Sequence, residues 1–279
     1  MRKFLKFLLL LVTVGVLVFV YATFIESKLL TVKSHEFSYT SPSEEKGTSI
    51  KIAHFTDTQI GEFYSMGQFE KVVKKINKQK PDMIVFTGDL FDMGATEAEI
   101  QEIIALLKEM EAPYGKFSVY GNRDVGGGMV RNYERLLTDA DFTLLKNEET
   151  TITLPNGEEL LIYGLDDALL GSPDIADVNN VLSRNQNTLV LLHEPDVAKQ
   201  LESTDHALVL AGHSHGGQVY LPFIGPLATT SLAEEYVKGW YTLSGNTNPN
   251  LYVNTGIGNT KLPFRLGNIP QVALIELHL

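Results

Sequence analysis

The sequence predicts an α/β fold preceded by one membrane-spanning helix. Three observations carry this. Short apolar strand signals alternate with amphipathic helical stretches from Ile50 onward. Polar residues of ligand type follow directly on the last apolar residues of five of those strands. Near the N-terminus, an uncharged run extends from Phe7 to about Phe24.

Arg2, Lys3 and Lys6 precede that run, and Glu26 is the first charge after it. A helix apolar on every face requires a bilayer or a deep core, and about 18 residues is close to the lower limit for crossing hydrocarbon. The basic flank marks the cytoplasmic side, which puts the remainder of the chain outside. A secreted chain cleaved near Ala22 is the alternative, since Val20-Tyr21-Ala22 offers a small-residue cleavage site. The expected division is an anchor over 1–25, a linker over 26–48 and one folded domain over 49–279. The linker reading rests on polar composition and on Ser41-Pro42-Ser43-Glu44-Glu45-Lys46-Gly47.

Within the domain, Ile50 to Phe55 reads as a strand ending at Thr56-Asp57. Met66 to Lys80 reads as an amphipathic helix, and Met83 to Thr87 as a short apolar strand ending at Gly88-Asp89. Thr96 and Glu99 are spaced as a capping box at the start of a helix to Met110. Phe117 to Tyr120 is a strand ending at Gly121-Asn122, and Asn132 to Ala140 is helical. Pro155-Asn156-Gly157 joins two strand signals, Glu148 to Leu154 and Leu160 to Tyr163, as a hairpin. Thr188 to Leu192 ends at His193, and Leu208 to Ala211 ends at Gly212-His213. Leu251 to Asn254 and Val272 to Leu277 are closing strands.

The bulk numbers narrow the function. A chain of 279 residues, 44% hydrophobic, can bury a sizeable core. A formal net charge of −11 disfavours a nucleic-acid grip, which shows as a basic patch. The absence of cysteine excludes disulfides, thiolate metal sites and cysteine nucleophiles.

What remains is oxygen and nitrogen chemistry at strand ends. The carboxyl ends of strands line the ligand crevice in open α/β sheets, so Asp57, Asp89, Asn122, His193 and His213 can meet although they are far apart in sequence. Such donors suit manganese, iron or zinc rather than calcium. Two such ions a few ångströms apart clamp a phosphoryl group. Asp89 is the natural bridging carboxylate, and Gly88 before it permits a tight turn.

The segments Asp57-Thr58-Gln59, Gly88-Asp89, Gly121-Asn122-Arg123-Asp124, His193-Glu194-Pro195 and Gly212-His213-Ser214-His215 resemble, in order, the motifs of the calcineurin-like metallophosphoesterase family. The stretch Gly216 to Pro226 and the ending Gly256-Ile257-Gly258 through Leu262-Pro263-Phe264-Arg265 resemble its membrane-associated bacterial branch. The resemblance spans about Ile50 to Leu279. It implies an αββα sandwich, two mixed β-sheets flanked by helices. It also implies two divalent ions, with manganese favoured over iron and zinc. One ion would be held by Asp57, Gln59, Asp89 and His215, the other by Asp89, Asn122, His193 and His213. A bridging hydroxide would hydrolyse a monoester or diester, with Asn122, Arg123 and Asp124 beside the reacting group. The substrate implied is an envelope-associated, lipid-linked or nucleotide-like phosphoester at the outer membrane face.

Two positions depart from the family pattern. Gln59 stands where histidine is usual; its amide oxygen is a neutral, poorer donor. Arg123 stands where a leaving-group histidine is usual; arginine stays protonated and cannot act as a general acid, but it can clamp phosphate oxygens. Asp124 is expected to orient Arg123 through an ion pair. These departures motivate the alternative function, a catalytically weakened metal-binding or regulatory protein of the same fold. His35, His54, His206 and His278 match no motif and are read as structural or exposed. Asp166 and Asp167 are read as supporting structure and Trp240 and Tyr241 as packing. The lysines from Lys71 to Lys80 are read as a solvated helix face, and Arg265 is expected to point at substrate phosphate.

Overall fold

The computed structural model describes residues 1–39, 48–202 and 204–279. Helix α1 (Arg2–Phe24) leads through a 3-10 turn (Glu26–Lys28) into β1 (Thr31–Ser38). Then follow β2 (Ser49–Phe55), α2 (Met66–Gln79), β3 (Met83–Phe86), α3 (Glu97–Lys108), β4 (Lys116–Ser118), α4 (Asn122–Gly126), α5 (Tyr133–Asp139) and β5 (Thr143–Leu144). The second half runs β6 (Glu148–Thr153), β7 (Glu159–Gly164), α6 (Ile175–Leu182), β8 (Thr188–Leu191) and β9 (Ala207–Ala211). It closes with the short hairpin β10 (Tyr220–Leu221) and β11 (Gly225–Pro226), then β12 (Gly239–Tyr241), β13 (Leu251–Val253) and β14 (Gln271–His278).

These strands form two mixed six-stranded sheets, ordered β1-β14-β2-β3-β4-β5 and β12-β13-β9-β8-β7-β6. Ile50, Ile52, Met83 and Val85 of the first sheet face Leu160, Ile162, Leu189 and Leu208 of the second in one buried layer. The outer face of the first sheet packs on α2 and α3, and that of the second on α6. The result is an αββα sandwich. Strands such as β3, Met-Ile-Val-Phe with every residue buried, read as continuous apolar runs because both faces are covered. Helix α2 buries Phe69, Val72, Val73 and Ile76 at helical spacing. The capping box of α3 is present, with Glu99 N–H donating to Thr96 Oγ1 and Thr96 N–H to Glu99 Oε2.

Residues 26–39 differ from the expected linker. Strand β1 pairs in parallel with β14 from Thr31 opposite Gln271 to Ser38 opposite His278. Its polar composition is that of an edge strand, with Phe37 as its buried residue. Phe37 and Tyr39 enter the layer between the sheets, and the Tyr39 hydroxyl donates to the Thr188 carbonyl at 3.0 Å. The Ser41-to-Gly47 signal lies outside the described residues. A chain beginning at Ser49 is therefore expected to lose at least about 3 kcal/mol of stability against one beginning at Glu26, the usual loss for deleting a buried aromatic. Urea unfolding of the two chains measures this; equal midpoints would restore the linker reading.

Helix α1 is exposed along its length except at Ala22 and Thr23 and is long and apolar enough to cross a membrane. Its C-terminal end docks on the domain. Phe19 meets Phe264 edge to face at 5.9 Å, and Arg265 N–H donates to the Ala22 carbonyl at 3.2 Å. Just beyond, Asn268 N–H donates to Glu26 Oε1 at 2.6 Å.

Candidate metal centre

Strands β2, β3 and β4 run parallel, as do β8 and β9. Their carboxyl ends meet at one edge of the sandwich, and there the seven expected ligands converge. The His213 N–H donates to Asp57 Oδ2 at 2.8 Å, and the Thr56 hydroxyl donates to the same oxygen at 2.8 Å. This leaves Asp57 Oδ1 buried without a partner among the described residues. Asp89 Oδ1 accepts from the Arg123 N–H at 2.7 Å, and Oδ2 accepts from Gln59 Nε2 at 3.1 Å.

Each imidazole is oriented from behind. His193 Nδ1 lies 2.6 Å from the Thr87 carbonyl, so it carries the proton there and turns Nε2 inward. His213 Nε2 lies 2.9 Å from the Ser231 carbonyl, which turns Nδ1 inward, 3.2 Å from His193 Nε2. His215 Nε2 lies 3.5 Å from Asp57 Oδ1 and 3.0 Å from the Gln59 amide. Carbonyls behind metal-binding histidines fix their tautomers in this way.

The donor set fits divalent ions. Asp57 Oδ1, Gln59 Oε1 and Asn122 Oδ1 are all buried and unpartnered among the described residues, and buried polar atoms are ordinarily satisfied. The inward atoms of Asp89, His193 and His213 lie within 4.8 Å of one another. Neighbouring ligands about 2.1 Å from one ion sit roughly 3.0–3.4 Å apart, and the 3.2 Å between His193 Nε2 and His213 Nδ1 falls in that range. Gln59 turns its amide nitrogen toward Asp89 and His215. A half-turn about its last side-chain bond puts the oxygen there, which is the atom a cation requires.

The backbone carries strain at the same place. Asp57, Gln59, Asp89, His213 and His215 all have positive φ, between 40° and 65°. Non-glycine residues take this region at a cost of about 1–3 kcal/mol, and such residues cluster at functional sites. Gly88, with φ +91°, lies hard against backbone: a Cβ there would lie 2.4 Å from Gly121 N and 2.7 Å from Gly121 Cα. Gly88→Ala is expected to force the Asp89 and Asn122 segments apart. Metal affinity should fall on the order of 10–100-fold, the range seen when ligand support is lost, and stability by about 2 kcal/mol or more. Calorimetric metal titration and urea unfolding read both; wild-type affinity in a folded Gly88→Ala protein would remove the packing argument.

Burial and mutual charge shape the titration of this cluster. Burial pushes Asp57 up to about 6; His193 opposes this and Asp89 adds to it. Burial also favours neutral Asp89, but the charge and hydrogen bond of His193 outweigh it and hold the carboxyl at about 2. His193 is held well above the usual imidazole value because Asp89 and Asp57 overcome its burial. Burial and the His193 charge push His213 down to about 4, and burial with the Arg265 guanidinium holds His215 well below normal.

Arg123 lines the mouth of a cavity of about 250 Å³, with Gln59, Asp89, Asn122, His213 and His215 around it. Asp57 and His193 lie buried. The expected Arg123–Asp124 ion pair is absent among the described residues. Asp124 turns away and accepts N–H groups of Asp89 at 2.7 Å, Gly121 at 2.9 Å and Leu90 at 3.0 Å. Arg123 instead faces Asp92 Oδ1 at 3.6 Å and donates to Thr260 Oγ1 at 3.3 Å. Asp124 is close to its own helix start, and three backbone donors hold it there more tightly than one mobile guanidinium can. Arg265 also differs from expectation. It is fully buried behind His215, with Nη2 3.3 Å from His215 Nδ1 and Nη1 donating to the Thr255 carbonyl at 2.8 Å. It supports the site from behind and does not reach the cavity. Asp92, Thr260, Thr87 and Ser231 carry no sequence signal for these roles, because two act through carbonyl groups that every residue possesses.

Residues 50–217 match the family model described as calcineurin-like phosphoesterase. The chain is 37% identical over 259 residues to the uncharacterized metallophosphoesterase YkuE of Bacillus subtilis, covering 92% of this chain and 88% of that one. It is 30% identical over 241 residues to the phosphodiesterase YaeI of Escherichia coli, covering 84% of each. A transmembrane protein with metallophosphoesterase domain of Danio rerio is 25% identical over 245 residues, which is 84% of this chain and 54% of that protein. The chain thus belongs to the calcineurin-like phosphoesterases, metal-dependent hydrolases of phosphoester bonds.

Proposed function

We propose a two-metal phosphoesterase held at the outer face of a membrane, acting on an envelope-associated or nucleotide-like phosphoester. One ion is held by Asp57, Gln59, Asp89 and His215, the other by Asp89, Asn122, His193 and His213, with manganese favoured over iron or zinc. The observation that carries this reading is the set of three buried side-chain oxygens without a hydrogen-bond partner among the described residues, on Asp57, Gln59 and Asn122, beside the clustered Asp89, His193 and His213. Bound there, two divalent ions supply hydroxide at neutral pH and neutralise charge on the phosphoryl oxygens.

The protein's own residues do the rest. Asp89 lies between the two ligand groups and fixes their separation. Arg123 offers N–H donors at the cavity mouth, where phosphoryl oxygens gather charge. Asp92 and Thr260 hold its guanidinium in place. Asp124 is a positioning residue for the Asp89 backbone. The anchor reading rests on α1, on the basic residues before it, and on the relative whose name includes a transmembrane segment. The name of the Escherichia coli relative favours diesters.

The full chain with added manganese is expected to hydrolyse bis-p-nitrophenyl phosphate. Hydrolysis no faster than in an Asp89→Ala control, with manganese, iron and zinc each supplied, would leave the alternative of a metal-binding regulatory protein.

A further inference from the structure

Beside the metal cavity lies a second, mostly apolar groove of about 380 Å³. The two are continuous: His215, Thr230, Thr260 and Lys261 line both. From that shared end the groove runs between Val219, Leu227, Leu262 and Phe264. Leu227 is 61% exposed and Leu262 48%, and at the adjacent hairpin tip Phe223 and Ile224 stand free in solvent. Apolar side chains clustered on an outer surface mark a contact with apolar matter.

Helix α1 says what that matter is. Phe264, in the groove wall, packs on Phe19, which lies five residues before the end of α1. At 1.5 Å per residue, that contact is about 7 Å inside the end of the apolar helix. A bilayer crossed by α1 therefore brings its hydrocarbon to the level of the groove wall. Lys261 stands where the groove meets the metal cavity and suits the phosphate of a lipid at that junction.

We infer that this groove takes the hydrocarbon chain of a membrane-resident phosphoester whose phosphate sits at the metal centre. The inference rests on the phosphoesterase reading above and names the substrate class for it. Chain and phosphate then enter from the bilayer side together. The apolar wall holds the tail, and Arg123 meets the headgroup.

The test uses the full chain in lipid nanodiscs with manganese and a series of p-nitrophenyl alkyl phosphodiesters, from methyl to decyl. A fully buried methylene contributes about fourfold in binding, so kcat/KM should rise at least tenfold from methyl to decyl. Leu227→Trp and Leu262→Trp each fill the groove without adding a charge, and each should bring the decyl-to-methyl ratio close to one. Hydrolysis of the methyl ester with no chain-length dependence in the wild-type protein overturns the groove assignment and leaves the phosphoesterase reading standing. A dependence that persists in both tryptophan variants also overturns it, since the chain then binds elsewhere or only partitions into the disc. Concentration-dependent dimers that either tryptophan abolishes would assign the groove to a second copy of the chain. No turnover of any ester above an Asp89→Ala control overturns the phosphoesterase reading, and the groove assignment with it.

Discussion

Asp89→Ala is expected to lower kcat/KM on an aryl phosphodiester by about 10³-fold or more and to release both ions. Asp89 reaches the two ligand groups at once. Its Oδ2 faces Gln59, which in turn faces His215, and its Oδ1 lies 3.4 Å from His193 Nε2. Removing one partner from a buried charge cluster costs about 3–5 kcal/mol because the others stay desolvated and uncompensated. In the proposed two-metal arrangement the lost carboxylate would serve both cations. The alanine also removes the acceptor of the Arg123 N–H, so the start of α4, which carries Asn122, loses its tether. Asp89→Asn separates these effects. It keeps the volume and one acceptor but not the charge, so it should retain the fold and still lose the metals. Elemental analysis of the purified variants reads the metal content directly. Two ions per chain in Asp89→Asn would show that the charge is not what holds them.

Substitutions at Arg123 are expected to change which esters are hydrolysed. A guanidinium offers N–H donors to phosphoryl oxygens but is no proton donor for a departing alkoxide. Removing a donor of this kind costs about 10²–10³ in turnover, and Arg123→Ala should fall in that range on aryl esters. Arg123→His is expected to act differently. It loses the bidentate donor but gains a group that can protonate the leaving oxygen, an effect of about 10²–10⁴-fold for poor leaving groups. Turnover on alkyl esters should therefore rise relative to aryl esters. The check is a plot of rate against leaving-group basicity across a graded ester series. It should be steep in the wild-type protein and shallow in Arg123→His; parallel plots would remove Arg123 from leaving-group control.

The sequence made the convergence of the candidate ligands legible because most of them are coordinating residue types just after the end of an apolar strand. Asp57, Asp89 and His193 needed only their order and their strands. Geometry behind them was not legible. The Thr87 and Ser231 carbonyls orient two imidazoles, and a carbonyl leaves no mark in a sequence. Adjacent placement misled in the case of Asp124. Its neighbour in sequence, Arg123, points to the cavity while Asp124 points into the backbone of Gly121, Asp89 and Leu90. Arg265, expected at the substrate phosphate, is instead held in the interior, where Gly258, Thr255 and Asn259 accept from its guanidinium. Strand β1 escaped notice for a different reason. An edge strand with Phe37 as its buried residue has too little apolar alternation to stand out from a polar linker.

The proposed function requires that two divalent ions in one cluster drive hydrolysis. Metal-free full chain titrated with manganese, with bound metal and hydrolysis of bis-p-nitrophenyl phosphate followed in the same samples, tests it most directly. Two ions per chain are expected, with activity that appears as the second site fills. Full activity at one ion per chain, or two ions bound with no activity, would contradict it.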